Sequence, residues 1–474
     1  MRLQSPWHPR LADGPAAPSE RLATALADDI LSARLPTGAR LPAHRDLAWR
    51  IGIGVGTVTK AYGMLERRGL VRSVRGRGTF VAALPGRQGP VIDLSVNMPP
   101  AMISERALAR TLSRISRSID PDLFNIYPPV AGHDEHRRMM ARWLSGLGME
   151  AAPERLLLTN GAQQALAVAM AVACPSGGTI VTEACTYPGA LALARQTGRA
   201  VAGVDMDAQG MRPDALDRML AAHRGTPMAL YVTPTMHNPT TATMDMSRRR
   251  DIAALCRRHN VPIIEDDVYA CTETGADPQA LMPLGMLAPE RTFYVNSLSK
   301  TLSPGLRIGA LLVPCAHLHA AESVLLTTSL MIAPLSYAVM AQWMLDGTAQ
   351  AVRAAIRAEA ARRRDLAASL LGPAMTYPRY DGFHVWLPMS RPDAERLDGA
   401  AAAEGIAVTA PGLVSVAPDA PATGIRLCLG RARLPDLTRA LEAIGRHLAP
   451  LDGRRAATPE PPGVAPPGPA GRLP

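Results

Sequence analysis

Six short apolar segments recur between residues 156 and 313, and helical stretches separate them. They are LLLT, TIVTEA, MALYVT, VPIIEDD, RTFYVNSLS and LRIGALLV. Near-continuous apolar runs that alternate with helices are typical of a mostly parallel β-sheet covered on both faces. Ligands of such sheets bind at the carboxyl ends of the strands, where the polar residues of these segments fall. The sequence therefore predicts an α/β domain with a binding site along that edge.

The net charge of the chain is concentrated near its N-terminus. Residues 1–90 hold 14 Lys and Arg against 6 Asp and Glu, which is +8 of the total of +10 over 474 residues. Such a basic segment indicates a polyanionic partner. No apolar stretch is long enough to span a bilayer, and the six cysteines show no metal-ligand spacing, so we expect a cytoplasmic protein with no metal site.

Residues 18–82 predict three helices followed by a β-hairpin. The helical segments contain PSERLATALADDILSARL, AHRDLAWRIG and VGTVTKAYGMLERRGL, and LVRSVRGRGTFVA alternates like a hairpin with a basic tip. This arrangement suits a winged helix-turn-helix that binds double-stranded DNA. A helical oligomerisation module with a solvated basic face is the alternative.

The segments LPAHRDLAWRIG, TVTKAYGMLERRGLV and GRGTFV resemble the winged helix-turn-helix of GntR-type transcription regulators. The resemblance implies that six side chains face DNA: Arg45, Thr57, Thr59, Lys60, Arg75 and Arg77. The basic ones would contact phosphates in any case. This chain departs from the family pattern at Gly54 and Val55, where the family commonly has a Ser-Arg pair.

Lysine is almost absent from this chain, which makes Lys300 conspicuous. Only Lys60 and Lys300 occur among 51 basic residues. An ε-amine can lose its proton and attack a carbonyl, whereas an arginine side chain stays protonated. We therefore predict a chemical role for Lys300.

Polar residues near the other strand ends suit an anionic aldehyde cofactor at Lys300. A phosphate would be bound by Gly161, Ala162 and Gln163 at a helix start, and by Ser297, Ser299 and Arg307. Asp266 could keep a pyridine nitrogen protonated, Tyr269 and Asn238 could bond a phenolic oxygen, and Tyr187 could stack on the ring. Singly, each has a simpler structural explanation as a cap, turn or core residue, but their joint order favours a site.

The order and spacing of these residues resemble those of fold-type I pyridoxal-phosphate aminotransferases, especially the subgroup that contains the kynurenine and 2-aminoadipate aminotransferases. Matching segments include LLLTNGAQQAL, EACTYPGAL, TPTMHNPTTATM, IIEDDVY, SLSKTLSPGLRIG and GIRLCLG. The resemblance implies pyridoxal 5′-phosphate bound as an internal aldimine to Lys300, with Asp266 and Tyr269 as catalytic partners. It also implies that Arg426 binds a substrate carboxylate and that Tyr127 reaches the phosphate of a second subunit in a homodimer. Thr241 stands where the family usually has glycine.

A winged helix joined to an aminotransferase-like domain resembles the MocR group of GntR regulators. We expect a winged helix-turn-helix (α+β) at 16–83, a linker at 84–96, a fold-type I α/β domain at 97–448 and a disordered tail at 449–474. The C-terminal part of the large domain, from about 350 to 448, would be a smaller α+β subdomain.

Three functions are compatible with this organisation. The first is a regulator that senses an amino-compound effector through an external aldimine formed at Lys300. The second is an active aminotransferase with an attached DNA-binding module. The third is a repressor that uses the aminotransferase fold only as a dimerisation scaffold, which an intact set of site residues argues against.

Overall fold

The structure is a computed structural model and describes residues 17–31, 34–35, 38–67, 70–74, 78–81, 91–223, 225–269, 281–378, 382–417, 420 and 422–455. It divides into two compact units, Met1–Pro90 and Val91–Pro474. Each unit has an apolar core of its own. The two units are therefore described separately.

The described residues of the N-terminal unit form three helices and a hairpin. These are α1 (Pro18–Leu31), α2 (His44–Ile51), α3 (Val55–Arg67), β1 (Val71–Val74) and β2 (Gly78–Val81), with β1 and β2 antiparallel. Gly52 ends α2 in the left-handed conformation, with φ of 68°, which glycine adopts without steric cost. Tyr62 and Leu65 are buried in the core, as their helical spacing predicts.

The large unit begins with an N-terminal segment and a seven-stranded sheet with its covering helices. In chain order the elements up to the last sheet strand are β3 (Ile92–Asp93), α4 (Glu105–Ser118), α5 (Asp122–Asn125), α6 (Asp134–Ser145), β4 (Leu156–Thr159), α7 (Ala162–Ala173), β5 (Thr179–Glu183), α8 (Pro188–Gln196), β6 (Ala200–Val204), β7 (Met206–Asp207), β8 (Gly210–Met211), α9 (Pro213–Ala222), β9 (Met228–Val232), α10 (Met246–Arg258), β10 (Ile263–Asp266), α11 (Leu284–Leu287), β11 (Thr292–Ser297) and β12 (Gly309–Leu312).

The remaining elements pack around a small antiparallel sheet. They are α12 (Leu318–Ser329), α13 (Pro334–Leu345), α14 (Thr348–Leu371), β13 (His384–Ser390), α15 (Arg391–Ala403), β14 (Ile406–Ala407), α16 (Pro411–Val414), β15 (Ala422–Cys428) and α17 (Leu434–Arg455). Strands β13 and β15 pair antiparallel, and their inner faces share a core with α14, α15 and α17.

The central sheet has the strand order β4-β12-β11-β10-β9-β5-β6. Neighbouring strands are parallel except that β12 runs antiparallel to both β4 and β11. The six apolar segments supply six of the strands, so the predicted α/β fold with a mostly parallel sheet is confirmed. The seventh strand, β6, was not predicted, because its small and partly exposed residues AVAGV lack a strong apolar run.

Two boundaries differ from the sequence prediction. Strand β3 lies within the predicted linker, yet it pairs in parallel with β14, and Ile92 and Leu94 are buried in the large unit. Such a long-range pairing has no local sequence signal. Helix α17 continues to Arg455, beyond the predicted domain end at 448, although Pro450 within it has no backbone N–H to donate. The tail from 456 lies outside the described residues.

Within the described residues, no single helix is both long and apolar enough to cross a membrane. One bent helix pair, Cys315–Ser329 with Pro334–Leu345, reaches that length and apolar character only when its two parts are counted together.

Candidate functional site

A cavity of about 470 Å³ lies at the carboxyl ends of the central strands. Its walls contain eleven of the side chains predicted from the sequence: Ala162, Gln163, Tyr187, Asn238, Asp266, Tyr269, Ser297, Ser299, Lys300, Arg307 and Arg426. They come from segments as far apart as residues 162 and 426. The fold thus brings into one place groups that the sequence could only place in order.

Lys300 follows β11 and points its amine into this cavity. Burial lowers the pKa of the Lys300 ammonium to about 8, and the positive charges of Arg426 and Arg307 add to the lowering. The Nζ atom donates a hydrogen bond to the backbone oxygen of Asn97. A lysine with a lowered pKa is closer to the neutral form that attacks a carbonyl.

Asp266 is the last residue of β10 and is buried. Its Oδ2 accepts a hydrogen bond of 2.8 Å from the Tyr231 hydroxyl, while no described group donates to its Oδ1. Burial raises the pKa of this carboxyl group to about 6. A buried carboxylate oxygen without a donor is costly, so this atom suits a ligand that brings its own N–H.

A cradle for an anion lies where α7 begins. Gly161 has φ of 89°, and a Cβ atom there would lie 2.5 Å from Nη2 of Arg307, so only glycine allows this arginine to approach. Arg307 itself adopts a left-handed backbone conformation, and its Nη2 donates to the Asn160 oxygen at 3.3 Å. The Ser297 and Ser299 hydroxyls lie 2.9 Å apart. Guanidinium, hydroxyls and a helix N-terminus together suit a phosphate.

Arg426 on β15 is buried against three oxygen acceptors. Its Nη1 donates to Oδ1 of Asn238 at 2.5 Å, and its Nη2 donates to the Ser95 oxygen at 2.7 Å and to Oγ1 of Thr409 at 2.9 Å. Its Nε is shielded and has no acceptor among the described residues. Because Oδ1 of Asn238 accepts from Arg426, the amide nitrogen of Asn238 is left to donate elsewhere.

The two predicted tyrosines of the cavity are held differently. Tyr187 precedes α8 and donates to Oε1 of Gln163 at 3.2 Å, and burial, together with the Asp266 charge, raises the pKa of its hydroxyl. Tyr269 is buried more completely, and burial raises the pKa of its hydroxyl far above the usual value. Both hydroxyls therefore stay protonated and can donate.

Sequence reasoning missed several polar residues around the cavity: Ser95, Asn97, Tyr231, His384 and Thr409. Tyr231 had a detectable signal, because it lies in MALYVT, one of the predicted strands, and the structure pairs this strand, β9, with β10. The others come from the segment after β3, from β13 and from the residues that follow β14, and nothing in their local sequence connects them with Lys300.

Two further groups of predicted residues lie outside the cavity. Tyr127 is 74% exposed and is not part of the wall of its own cavity. In the N-terminal unit Arg45, Thr59 and Lys60 are exposed and Thr57 is half-buried. The Thr59 hydroxyl donates to the Val55 oxygen at 3.0 Å and lies 3.0 Å from Nδ1 of His44. Arg75 and Arg77 lie outside the described residues.

The described part of the chain holds no cluster of three or more side chains that could bind a metal ion. Its five cysteines, Cys174, Cys185, Cys256, Cys315 and Cys428, are free thiols.

The fold and the cavity define a fold-type I aminotransferase domain, preceded by a helix-turn-helix unit. The chain belongs to the aminotransferase class I and II family, whose sequence pattern matches residues 89–444. The pattern of bacterial regulatory proteins of the gntR family matches residues 18–81. The protein thus joins a GntR-type DNA-binding domain to an aminotransferase domain.

Several relatives of this chain are named as regulators. The chain is 26% identical over 459 residues to the "Uncharacterized HTH-type transcriptional regulator YdfD" of Bacillus subtilis, and the match covers 88% of this chain and 94% of that protein. It is 27% identical to the "Probable rhizopine catabolism regulatory protein MocR" of Rhizobium meliloti, over 67% and 70% of the two chains. An archaeal alanine:glyoxylate aminotransferase structure matches with a TM-score of 0.68 at 20% identity, over 82% of this chain and 94% of that one.

Aminotransferases of this class use pyridoxal 5′-phosphate, and the cavity fits that cofactor. The unpaired Oδ1 of Asp266 suits the pyridinium N–H, and the Gly161 and Arg307 cradle suits the phosphate. Lys300 is the amine available for the aldehyde.

Proposed function

We propose that this protein is a pyridoxal-phosphate-dependent transcription regulator whose DNA binding responds to an amino compound at Lys300. The observation that carries the proposal is the complete polar set of the cavity in a chain that also has a DNA-binding unit. Lys300, Asp266 and Arg426 all line one cavity. A domain kept only as a dimerisation scaffold would not need them.

When bound, pyridoxal phosphate supplies an electrophilic carbon for a primary amine and an electron-withdrawing ring. In this proposal Lys300 holds the cofactor, Asp266 keeps its ring nitrogen protonated, and Tyr269 and Asn238 donate to its phenolic oxygen. Tyr187 packs against the ring face. Gly161, Ala162, Gln163, Ser297, Ser299 and Arg307 bind the phosphate.

Arg426 points to the class of effector. A buried guanidinium binds oxyanions through charge-assisted hydrogen bonds, and the Nε of Arg426 is the donor that no described residue uses. We therefore propose a primary amine that also carries a carboxylate or a sulfonate. Binding regulates only if the effector favours one conformation of the protein over another.

A homodimer supports this mechanism. Tyr127 lies beside two other exposed apolar side chains, Phe124 and Ile126, and does not line its own cavity. We propose that this segment meets a second copy, whose phosphate site Tyr127 completes. A dimer would also present two helix-turn-helix units to spaced half-sites on double-stranded DNA, as expected for a regulator in the cytoplasm.

A working aminotransferase is the second candidate, and the state of Lys300 favours it. A lysine whose pKa is lowered to about 8 can act as a proton acceptor near neutral pH. In that case the DNA-binding unit would accompany a catalytic domain with turnover of its own.

The visible absorption spectrum of the cofactor-loaded protein distinguishes the two candidates. Amino acids, ω-amino acids and amino-sulfonates are added singly, and DNA affinity is measured with the same compounds. A stable spectral shift together with an altered DNA affinity is expected for a regulator. The opposite outcome is that the cofactor converts steadily to pyridoxamine phosphate, that a keto acid reverses this conversion, and that DNA affinity does not change. This result would overturn the regulator proposal in favour of an enzyme.

The two lysines of the chain supply matched variants for this experiment. Lys300→Ala should abolish the lysine-bound absorption band and the effector response while DNA binding without effector persists. Lys60→Ala should retain the band and the spectral response but bind DNA more weakly. If Lys300→Ala keeps the band, the assignment of the cofactor to this residue is wrong.

A further inference from the structure

Asn97 connects the two central side chains of the cavity. Its backbone oxygen accepts from Nζ of Lys300, and its side-chain Nδ2 lies 2.5 Å from the Tyr269 hydroxyl. The same Nδ2 lies 3.2 Å from Nδ1 of His384. Its Oδ1 is shielded from solvent and has no donor among the described residues. The amide therefore makes all its described side-chain bonds through nitrogen.

The protonation state and tautomer of His384 determine which atoms donate and which accept in these hydrogen bonds. His384 is fully buried on β13, and burial, with the nearby charges of Arg426 and Lys300, lowers the pKa of its ring to about 3. The ring is therefore neutral near pH 7 and carries one proton. Its Nε2 lies 3.3 Å from the backbone oxygen of His237, which can only accept.

The proton of His384 must accordingly lie on Nε2, which leaves Nδ1 as an acceptor. An acceptor at Nδ1 requires a donor from Asn97, so the amide nitrogen faces the ring and its second N–H meets the Tyr269 oxygen. Tyr269 then accepts from Asn97, and its own proton is left for a group in the cavity.

We propose that Asn97 and His384 are positioning residues that direct the hydroxyl proton of Tyr269 into the cavity, toward the phenolic oxygen of the cofactor. This inference rests on the cofactor site of the proposed function and extends it to two residues with no assigned role. Neither residue touches the reacting atoms through its side chain. Both act through Tyr269.

The consequence is a change in the proton affinity of the bound cofactor. A hydrogen bond donated to a deprotonated oxygen favours the deprotonated form, so the pH midpoint of the cofactor's absorption change is lowered by Tyr269. Without Asn97, the Tyr269 proton is free to rotate toward other acceptors. The midpoint should then rise, by about one pH unit for a lost bond to a charged oxygen.

The first test follows the visible absorption of the cofactor-loaded protein from pH 5 to pH 10. Asn97→Leu and Tyr269→Phe should each raise the midpoint, and the double variant should raise it no further than Tyr269→Phe alone. Additive shifts, or an unchanged midpoint in Asn97→Leu, would overturn the proposal. Val96→Ala, an apolar neighbour that also lines the cavity, should leave the midpoint unchanged.

A second variant and a cofactor-free measurement guard against misfolding. Asn97→Asp preserves the size of the side chain but offers only acceptors toward Tyr269, so it should also raise the midpoint. Nitrogen NMR of histidine-labelled protein without cofactor reports the His384 tautomer, with His384→Gln used for assignment. Protonation at Nε2 is expected, and protonation at Nδ1 would refute the hydrogen-bond direction. Neither readout involves DNA, so a failure here is distinct from a failure of effector-controlled DNA binding.

Discussion

The two units of this chain hold their functional groups in opposite ways. In the N-terminal unit the described charged residues lie at or near the surface, and Arg45 and Lys60 are exposed above an apolar core. In the large unit Glu183 and Asp266 are buried at strand ends, and Arg426 is buried within β15. Exposed charges recognise a polyanion at little structural cost, whereas buried charges cost stability unless a partner or ligand compensates them.

This contrast predicts different responses to substitution. In the N-terminal unit a changed charge should alter binding and leave stability unchanged. In the large unit the neutralisation of a buried charge in the cavity should alter stability and cofactor binding together. The following experiments test or refine that difference, from the largest expected effect to the smallest.

Reversing two exposed charges, Arg45→Glu with Lys60→Glu, should weaken DNA binding about 100-fold at low salt. Because each phosphate contact releases a counterion, the slope of log affinity against log salt should also fall by about 2. Binding is measured over a range of salt concentrations. The control is Arg106→Glu with Arg110→Glu, an equal charge change on exposed positions of α4. Equal losses in both variants would show that DNA binding is not confined to the N-terminal unit.

Neutralising the buried carboxylate in Asp266→Asn should stabilise the cofactor-free protein at pH 7.5 by about 2 kcal/mol and impair cofactor binding. Burial raises the pKa of Asp266 to about 6, so the folded protein binds this proton more tightly than the unfolded chain. The cost of ionisation therefore appears as pH rises from about 4 through 6.

Urea unfolding of the cofactor-free protein at pH 7.5 and pH 5 measures this effect. The gain in Asp266→Asn should be smaller at pH 5, where wild-type Asp266 is already largely protonated. Asp205→Asn, at an exposed position, should change neither value. A gain that is equal at both pH values would contradict the assigned cause.

Thr241→Gly should stabilise the large unit by about 1 kcal/mol, because a β-branched residue is strained at positive φ. Thr241 has φ of 64°, and its buried hydroxyl has no partner among the described residues. Thermal or urea unfolding gives the difference. Thr240→Gly is the matched control and should be destabilising, since the Thr240 hydroxyl lies 2.7 Å from Nδ1 of His237.

Gly54→Ser should stabilise the N-terminal unit by only about 0.3 kcal/mol, since serine replaces glycine as a helix N-cap with a small gain. The Gly54 oxygen accepts from the Thr57 N–H at 3.0 Å, and an added Cβ would meet only Oγ1 of Thr57 at 3.7 Å. Gly52→Ser is the contrasting control. Because Gly52 has φ of 68°, that change should destabilise by about 1 kcal/mol. Unfolding curves of both variants and of the wild type give the differences in the free energy of unfolding that test this prediction.

Local patterns were enough for most of the fold. Helix α3, the β1–β2 hairpin and six of the seven central strands were predicted from periodicity and apolar runs. Strand β3 was not, because its pairing with β14 joins residues more than 300 positions apart. Asn97 was missed for the same reason, since it approaches Lys300 only after that pairing brings the N-terminal segment of the unit to the cavity.

The sequence by itself determined the two-unit organisation, the basic N-terminal unit and the chemical identity of the groups at the strand ends. These follow from short-range patterns and from charge distribution, which need no knowledge of distant contacts. Only the tertiary structure decided which groups meet, which carboxylate oxygen of Asp266 is left unpaired and how far burial moves the pKa of Lys300. Hydrogen-bond geometry and desolvation depend on every atom packed around a group, and chain folding alone sets those neighbours.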